Sequence, residues 1–389
     1  MTNFKKIKPL SDNFYNQTRK LLLNFIEEKG LEGYLVTNPA NIFYFTGFFY
    51  VTNERPSGFY ISKDNKSKLF IPLLEKENSE NTVVDNILIY EEFPGKINPY
   101  SFMAKNINEK NIGTDINNIK IIDQIKSNFE KLDYQSDIKN FRYQKLEEEI
   151  NLISEAAKYA DLTLEFLKDH ADHMINNQTN ERELVKFCTE EAKKEMLNNL
   201  SADFDETPCN VVATIHSGPR GAFPHGKSLS RIPKKNETLI CGVGACVGGL
   251  YAESGVTFIL GEPNHDQMNI INTMKEVNDE VISNLKEGIE CEDINKIATR
   301  IYKDNGYFEF VRHRIGHGMG FEGHEAPWLS PGDKTELKKN MIFSNEPGIY
   351  RPDIDGYRTI SSMIVEENNG KQISSFLDKS IDHRIINLN

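Results

Sequence analysis

Three short motifs in the last third of the chain constrain what it can fold into more than any other feature. They are residues 316–318 (Gly-His-Gly), 324–327 (His-Glu-Ala-Pro) and 345–350 (Asn-Glu-Pro-Gly-Ile-Tyr). Histidine and glutamate are side chains that bind metal ions and move protons. Their flanking glycines and ordered spacing favour a functional site over isolated, hydrogen-bonded core histidines. We therefore predict that the histidines and the glutamates of these motifs share one cavity.

The composition is typical of a globular protein that binds neither nucleic acid nor a membrane. The formal net charge of −12 opposes the clustered positive charge that phosphate binding needs. No apolar run approaches the roughly 20 residues that span a bilayer, and the N-terminus carries no signal-peptide core. The five cysteines lack CxxC spacing, which indicates free thiols in a reducing compartment. We expect a cytoplasmic protein.

The 389 residues predict two domains, since a single hydrophobic core rarely grows this large. Helices and strands alternate in the first third, which indicates a small α/β domain over residues 1–140. A long charged helix with apolar residues at helical spacing is predicted to begin at Lys145. Residues 141–389 are predicted to form an α+β domain, with one of its strands over residues 341–350.

In their order and spacing, the three motifs resemble the pita-bread peptidase family, which includes methionine aminopeptidase, aminopeptidase P, prolidase and creatinase. Residues 223–226 (Phe-Pro-His-Gly) match the family's Pro-His motif. Residues 38–48 resemble the N-terminal domain of the creatinase, prolidase and aminopeptidase P branch. The resemblance covers nearly the whole chain. It implies a pita-bread C-terminal domain of the α+β class behind a smaller, creatinase-like α/β domain, in a homodimer.

The resemblance also implies five metal ligands in catalytic members, namely two Asp, one His and two Glu. Carried over position by position, His317 and Glu346 are intact in this chain. Glu253 stands where the second Asp is expected, with a side chain one methylene longer. Gly242 replaces the first Asp, and Ile360 replaces the last Glu. The chain therefore keeps part of the ligand set and loses the rest.

The lost carboxylates remove the bridge that a pair of ions needs, so no dinuclear centre is expected. Glu253, His317 and Glu346 could still bind one divalent ion, such as Mn, Zn or Co, at a site open to water. Without any metal, the two glutamates would hold a cationic group, and His225 would move protons, as the resemblance to creatinase implies. The corresponding creatinase carboxylate aligns with Gly255, so the match to that enzyme is partial.

Three further residues are predicted to bind substrate or support the site: Arg55, Glu325 and Arg358. Arg55 lies in a segment that resembles the creatinase loop whose arginine enters the partner subunit's site and binds a substrate carboxylate. Glu325 is expected beside the site histidines, and Arg358 is expected to pair with the site carboxylates. The remaining histidines, including His216 and His313, are expected at the surface.

Three functions remain open from the sequence. The first is a metal-independent hydrolase of a C–N bond, amide or amidine, in a small carboxylated substrate. Its catalytic residues would be His225, Glu253, His317, His324 and Glu346. The second is an Xaa-Pro dipeptidase or aminopeptidase that uses one weakly bound divalent ion. The third is a catalytically inert relative that binds a ligand or a protein partner.

Overall fold

The computed structural model describes residues 7–135 and 137–388, which divide into two compact units. The first unit is Leu10–Phe141, and the second is formed chiefly by Arg142–Asn389. None of the helices in the described ranges is long and apolar enough to cross a lipid bilayer.

The first unit is a mixed sheet with helices between its strands. Its helices are α1 (Asp12–Glu28), α2 (Pro39–Thr46), α3 (Pro99–Lys105) and α4 (Ile119–Ile125). Its strands are β1 (Gly33–Val36), β2 (Gly58–Ser62), β3 (Ser67–Pro72), β4 (Asn86–Tyr90), β5 (Asn111–Thr114) and β6 (Lys131–Asp133). These strands lie in the order β4-β3-β2-β1-β5-β6, with the pairs β1–β2 and β2–β3 antiparallel and the others parallel.

The second unit combines long helices with a curled antiparallel sheet. Its helices are α5 (Glu147–Asn176), α6 (Glu181–Asn199), α7 (His265–Asn284) and α8 (Cys291–Asp304). The strands are β7 (Asn210–Ser217), β8 (Thr238–Val247), β9 (Leu250–Leu260), β10 (Gly316–Gly318), β11 (Glu325–Leu329), β12 (Ile342–Asn345), β13 (Gly348–Arg351), β14 (Asp355–Arg358), β15 (Ile360–Val365), β16 (Gly370–Gln372) and β17 (Ile385–Ile386). This mixture of helix and sheet is the α+β pita-bread fold that the motifs predict.

The main sheet of this unit sets the positions of the motif residues. Its strands follow the order β11-β10-β12-β15-β9-β8-β7, while β16 pairs with β15 and β17 with β9. Strands β13 and β14 form a separate hairpin. Helices α7 and α8 bury Ile270, Met274, Ile294 and Ile301 in a cluster with Phe343 of β12. Burying such side chains stabilises the sheet by about 1.5–3 kcal/mol each.

The prediction of a single strand over residues 341–350 is wrong, because the structure has two strands there. Strand β12 ends at Asn345 and β13 begins at Gly348. Pro347 has no amide hydrogen to donate to a sheet ladder, so the strand cannot run through it. The break leaves Glu346 outside both ladders, where its side chain can enter a cavity.

A buried ion pair joins the start of α5 to β11. Lys145 Nζ lies 2.7 Å from Glu325 Oε1, and the side chains of Lys145 and Glu325 are 1% and 3% exposed. Arg142 also approaches Glu325, at 3.3 Å from Oε2. A charge this deeply buried depends on its partner, because water cannot solvate it. The pair therefore fixes the chain entering α5 against the strand that follows His324.

Replacement of Lys145 by methionine tests the contribution of this pair to stability. We expect Lys145→Met to lower the free energy of unfolding by about 3 kcal/mol, because it leaves the Glu325 carboxylate buried with only Arg142 nearby. Urea unfolding measures the change. The matched control is Lys158→Met on the same helix, where the lysine is 64% exposed and its pair contributes about 0–1 kcal/mol. Equal losses in the two variants would contradict the interpretation.

Candidate functional site

Sheet register gathers residues from distant parts of the chain at one point on the sheet. Glu253 lies on β9, His317 lies on β10, and Glu346 follows β12. Ser362 on β15 holds the backbone of Glu253: its Oγ accepts from the Glu253 amide at 2.9 Å and donates to the Glu253 carbonyl at 2.8 Å. The Glu346 amide donates to the Ile315 carbonyl at 2.7 Å. Backbone pairing thus fixes both glutamates before any ligand binds.

His317 and His324 form one cluster with Glu253 and Glu346, whereas Glu325 of the same motifs lies outside it. His317 Nε2 lies 3.6 Å from Glu346 Oε2 and 3.8 Å from Glu253 Oε2. His324 Nε2 lies 3.9 Å from Glu253 Oε1. The rings of His317 and His324 stack with centroids 3.7 Å apart. These distances are too long for hydrogen bonds, so the cluster has room for a small bound group.

Two atoms of the cluster are buried without a hydrogen-bond partner among the described residues. They are Glu253 Oε2 and His317 Nε2. Buried polar atoms are normally paired, because an unpaired one costs about 1–3 kcal/mol. Their convergence therefore indicates a site for a ligand. One atom each from Glu253, His317 and His324 lies within 4.8 Å of the other two, which is a set that could hold a metal ion.

Burial and neighbouring charge separate the pKa values of the two glutamates. Burial, together with the negative charge of Glu346, raises the pKa of Glu253 to about 7. Burial would also raise the pKa of Glu346, but His317 and Arg358 outweigh it and lower that pKa to about 2. For His317, burial lowers the pKa while the two glutamates raise it, and the net pKa lies above its ordinary value. Burial and the charge of His317 lower the pKa of His324.

Arg358 occupies the space beside Gly242, the position where a first Asp would be expected. A Cβ atom at Gly242 would lie 2.7 Å from Arg358 Nη2 and 3.2 Å from Ile360 Cδ1. Arg358 is 8% exposed, its Nη1 donates to the Pro224 carbonyl at 2.8 Å, and its Nε has no partner in the described chain. The guanidinium therefore places a fixed positive charge beside Gly242.

Ile360 fills the remaining space on the same part of the sheet. Gly255 pairs with both Gly242 and Ile360 across the neighbouring strands. A Cβ atom at Gly255 would lie 2.8 Å from Ile360 Cδ1. The apolar side chain thus closes the position of the last expected glutamate.

A cavity of about 370 Å³ opens over this cluster. Its wall includes His225, Glu253, His324, Glu346 and Arg358. His225 is exposed on this wall. His317 lies behind the wall, 1% exposed, under the stacked ring of His324.

Three histidines that were expected at the surface are buried or partly buried instead: His216, His313 and His383, of which the last has a side chain that is 27% exposed. His216 on β7 is 1% exposed, and its Nε2 pairs with the Gly226 carbonyl, directly after His225. His313 is partly buried, with its Nε2 2.9 Å from the hydroxyl oxygen of Tyr350. Alternation along β7 gave no signal for this burial, because a core-facing Ile215 predicts that His216 points to the opposite face.

Glu325 and Arg55 lie in other surroundings. Glu325 follows His324 in sequence but points into the buried ion pair with Lys145, so it is not part of the described cavity wall. Arg55, in the first unit, donates from Nε to Glu92 at 2.6 Å and also pairs with Glu54. A role for Arg55 in a partner's site stays a prediction.

Comparison with known proteins agrees with this fold and with the order of the motifs. The model of metallopeptidase family M24 matches residues 151–367, and that of the creatinase/prolidase N-terminal domain matches residues 19–144. The chain belongs to metallopeptidase family M24. Membership of this peptidase family classifies it as a hydrolase that acts on C–N peptide bonds.

Relatives and solved structures match along almost their full length. An uncharacterized peptidase of Staphylococcus aureus (strain MRSA252) is 30% identical over 347 residues, which cover 88% of this chain and 94% of the relative. A prolidase from Pyrococcus horikoshii OT3 superposes with a TM-score of 0.78 at 23% identity, covering 92% of this chain and 98% of that one. An Xaa-Pro dipeptidase from Bacillus anthracis gives a TM-score of 0.79 at 22% identity, covering 96% and 100%. Both structures share the fold of this chain.

The family uses divalent metals, and in the described part of this chain Glu253, His317 and His324 could hold a metal ion. Glu253 contributes a carboxylate, and His317 and His324 each contribute an imidazole. This set of donors is suited to transition metals. Arg358 lines the same cavity, and its positive charge repels a cation.

The buried His216 predicts a specific loss of stability in acid. Burial lowers the pKa of His216 from 6.5 to about 4. The neutral, buried His216 therefore contributes to the free energy of unfolding above pH 6.5, and this contribution is lost as pH falls from about 6.5 to about 4. In that range the unfolded chain binds a proton at this histidine and the folded chain does not. Urea unfolding at several pH values in this range gives the dependence of the free energy of unfolding on pH. This dependence should be less steep in His216→Gln than in wild type, by up to about 1.4 kcal/mol per pH unit.

His265→Gln, at an exposed position on α7, is the control for His216→Gln and should keep the wild-type slope. An unchanged slope in His216→Gln would show that His216 binds its proton equally in the folded and unfolded chain.

Proposed function

We propose that this chain hydrolyses the C–N bond of short peptides in the cavity above β9, β10 and β12, with a centre that holds at most one divalent ion. The observation that carries the proposal is the convergence of Glu253 Oε2 and His317 Nε2, both buried and unpartnered, beside His324. The named activities of the prolidase and Xaa-Pro dipeptidase structures support an Xaa-Pro peptide as the first substrate class to test.

Glu253, His317 and His324 would hold the ion. A bound divalent ion would supply Lewis acidity, which polarises a carbonyl and lowers the pKa of water. Three protein ligands leave a position open for water or substrate, as catalytic sites require. Glu346 then stands free of the ligand set, although 3.6 Å from His317.

The other side chains of the cavity would perform the remaining steps. The Glu346 carboxylate would accept the proton of the attacking water, because His317 and Arg358 keep it ionised. Arg358 would bind the negative charge that develops on the carbonyl oxygen, a task for a fixed, buried cation. His225, exposed on the cavity wall, would donate a proton to the leaving nitrogen.

Metal binding tests the number of ions directly. We expect titration calorimetry with Mn²⁺ to give one site per chain, because Gly242 and Ile360 provide no ligands for a second. His317→Ala should weaken that site at least about 100-fold, since loss of even an outer-shell partner typically costs 10–100-fold in affinity. His265→Ala removes an exposed histidine from α7 and should bind as wild type does. Two tight sites in wild type would overturn the one-ion centre.

Activity requires the negative charge of Glu346. We expect Glu346→Gln to lower kcat/KM for Xaa-Pro dipeptides by at least about 100-fold, the usual contribution of a positioned general base. The release of proline from a dipeptide panel measures this. Glu287→Gln, at an exposed position after α7, is the control and should retain wild-type kcat/KM.

Three outcomes of this assay separate the competing mechanisms. Activity that disappears with EDTA and returns with one equivalent of Mn²⁺ supports the one-ion centre. Cleavage that persists with EDTA and needs Glu346 would instead favour metal-independent hydrolysis. If Glu346→Gln and His317→Ala leave every measured activity unchanged, hydrolysis does not occur in this cavity.

A further inference from the structure

A row of buried polar side chains crosses the main sheet on the face opposite to the site. The row consists of Ser254 on β9, Ser361 on β15 and Asn345 on β12, which pair in register across the three strands and are each 0% exposed. Ser254 follows Glu253 in the chain, and Asn345 precedes Glu346. Because successive side chains of a strand point to opposite faces, Ser254 and the residues paired with it lie behind the cavity. Contacts to this buried polar row can therefore act on the site from outside it.

Asn278 on α7 holds two members of this row through one oxygen atom. Its Oδ1 accepts hydrogen bonds from Asn345 Nδ2 and from Ser361 Oγ, at 3.0 Å each. Its Nδ2 donates to Gln372 Oε1 at 3.3 Å, and Gln372 Nε2 donates in turn to Asp378 Oδ1 at 2.8 Å. Because the amide of Asn278 accepts on one side and donates on the other, it cannot rotate without breaking these bonds. The buried Asn278 therefore ties the end of β12 and the start of β15 to the helix.

The contact with Asn278 lies at the point where the sheet ladder stops. Strand β12 ends at Asn345, and Pro347 has no amide hydrogen with which to continue the ladder. Between them, the Glu346 amide donates to the Ile315 carbonyl at 2.7 Å. Asn345 Oδ1 is buried and has no hydrogen-bond partner among the described residues, so the bond to Asn278 orients this side chain. The position of Glu346 therefore depends on Asn278 more than that of a residue inside a ladder would.

Glu253 is such a residue, because strands on both sides hold its backbone. It lies within β9, which pairs with β8 along nearly its whole length, and Ser362 on β15 bonds to its amide and its carbonyl. Ser254 beside it donates from Oγ to the buried Asp161 on α5 at 2.7 Å. Loss of that bond would lower stability without releasing the backbone of Glu253. Two buried hydrogen bonds behind the same sheet thus differ in what depends on them.

We propose that Asn278 is a positioning residue for Glu346. Through Asn345 and Ser361 it fixes the end of β12, and the fixed strand end holds the Glu346 carboxylate at its place in the cavity. A catalytic group must stay within about 0.5 Å of its productive position, and a misplacement of about 1 Å can cost about 100-fold in rate. The inference rests on the proposed function for the role of Glu346 as general base, but the position of Glu346 can be measured without hydrolysis.

The kinetic test compares Asn278→Leu with wild type on Xaa-Pro dipeptides. Leucine is close to asparagine in size but leaves the Asn345 amide and the Ser361 hydroxyl without their acceptor. We expect kcat to fall by about 10- to 100-fold at unchanged KM, because a displaced base weakens only the transition state. Mn²⁺ affinity in titration calorimetry should stay unchanged, because Glu346 is not among the residues that would hold the ion. Asn278→Asp restores an acceptor for both donors and should recover most of the lost kcat.

Two controls separate positioning from a general loss of stability. Ser254→Ala removes the buried hydrogen bond to Asp161 and should lower the free energy of unfolding in urea while kcat stays at the wild-type value. Asn272→Leu makes the same substitution as Asn278→Leu at an exposed position of α7 and should match wild type in both measurements. Circular dichroism checks that each variant folds. Equal losses of kcat in Ser254→Ala and Asn278→Leu would overturn the proposal.

Crystal structures of wild type and Asn278→Leu separate this inference from the proposed function. The Glu346 carboxylate should move by about 0.5 Å or more, while the Glu253 carboxylate stays in place. This movement supports the positioning role even if the wild type cleaves no peptide, and movement at wild-type kcat would remove only the role of Glu346 as the base. A Glu346 carboxylate at its wild-type position would overturn the inference. If Asn278→Leu does not fold, Asn345→Leu removes the same bond from its other end and replaces it in each measurement.

Discussion

The structure of this site depends on the need to balance charges that are withdrawn from water. Glu253 on β9 and Glu346 after β12 approach His317 in a setting where an uncompensated carboxylate would cost several kcal/mol. His317 and Arg358 supply the positive charge, and the two glutamates respond with opposite shifts in pKa. A paired centre of this kind titrates as a unit.

Arg358 would oppose metal binding by carboxylates introduced at positions 242 and 360. The Cβ atom of an aspartate at position 242 would lie 2.7 Å from Arg358 Nη2. A glutamate at position 360 would replace an apolar side chain that packs against Gly255. The guanidinium would have to move before either carboxylate could bind a metal. The glycines at 242 and 255 and the isoleucine at 360 therefore act together, and single substitutions at these positions are expected to be non-additive.

Much of the fold and part of the site followed from sequence because the motifs are local and ordered. Helical spacing predicted the long helix that begins near Lys145, whereas no strand was predicted at His317. The interruption at Pro347 was readable in principle, since proline cannot donate to a ladder. The partner of Glu325 could not be predicted from the sequence, because Lys145 lies 180 positions away. Nor does spacing show that Arg358 fills the space beside Gly242, because that depends on side-chain direction across neighbouring strands.

The ion pair between Lys145 and Glu325 has a consequence for the order in which the molecule folds. Its partners are separated by 180 positions, and closing so long a loop carries an entropic cost that local helices avoid. Contacts of this range are usually made late, after α5 and the strand pairs between neighbouring segments have formed. The contact between β11 and the start of α5 would therefore form among the last. A chain stalled before that step would have most of its helix content and no assembled site.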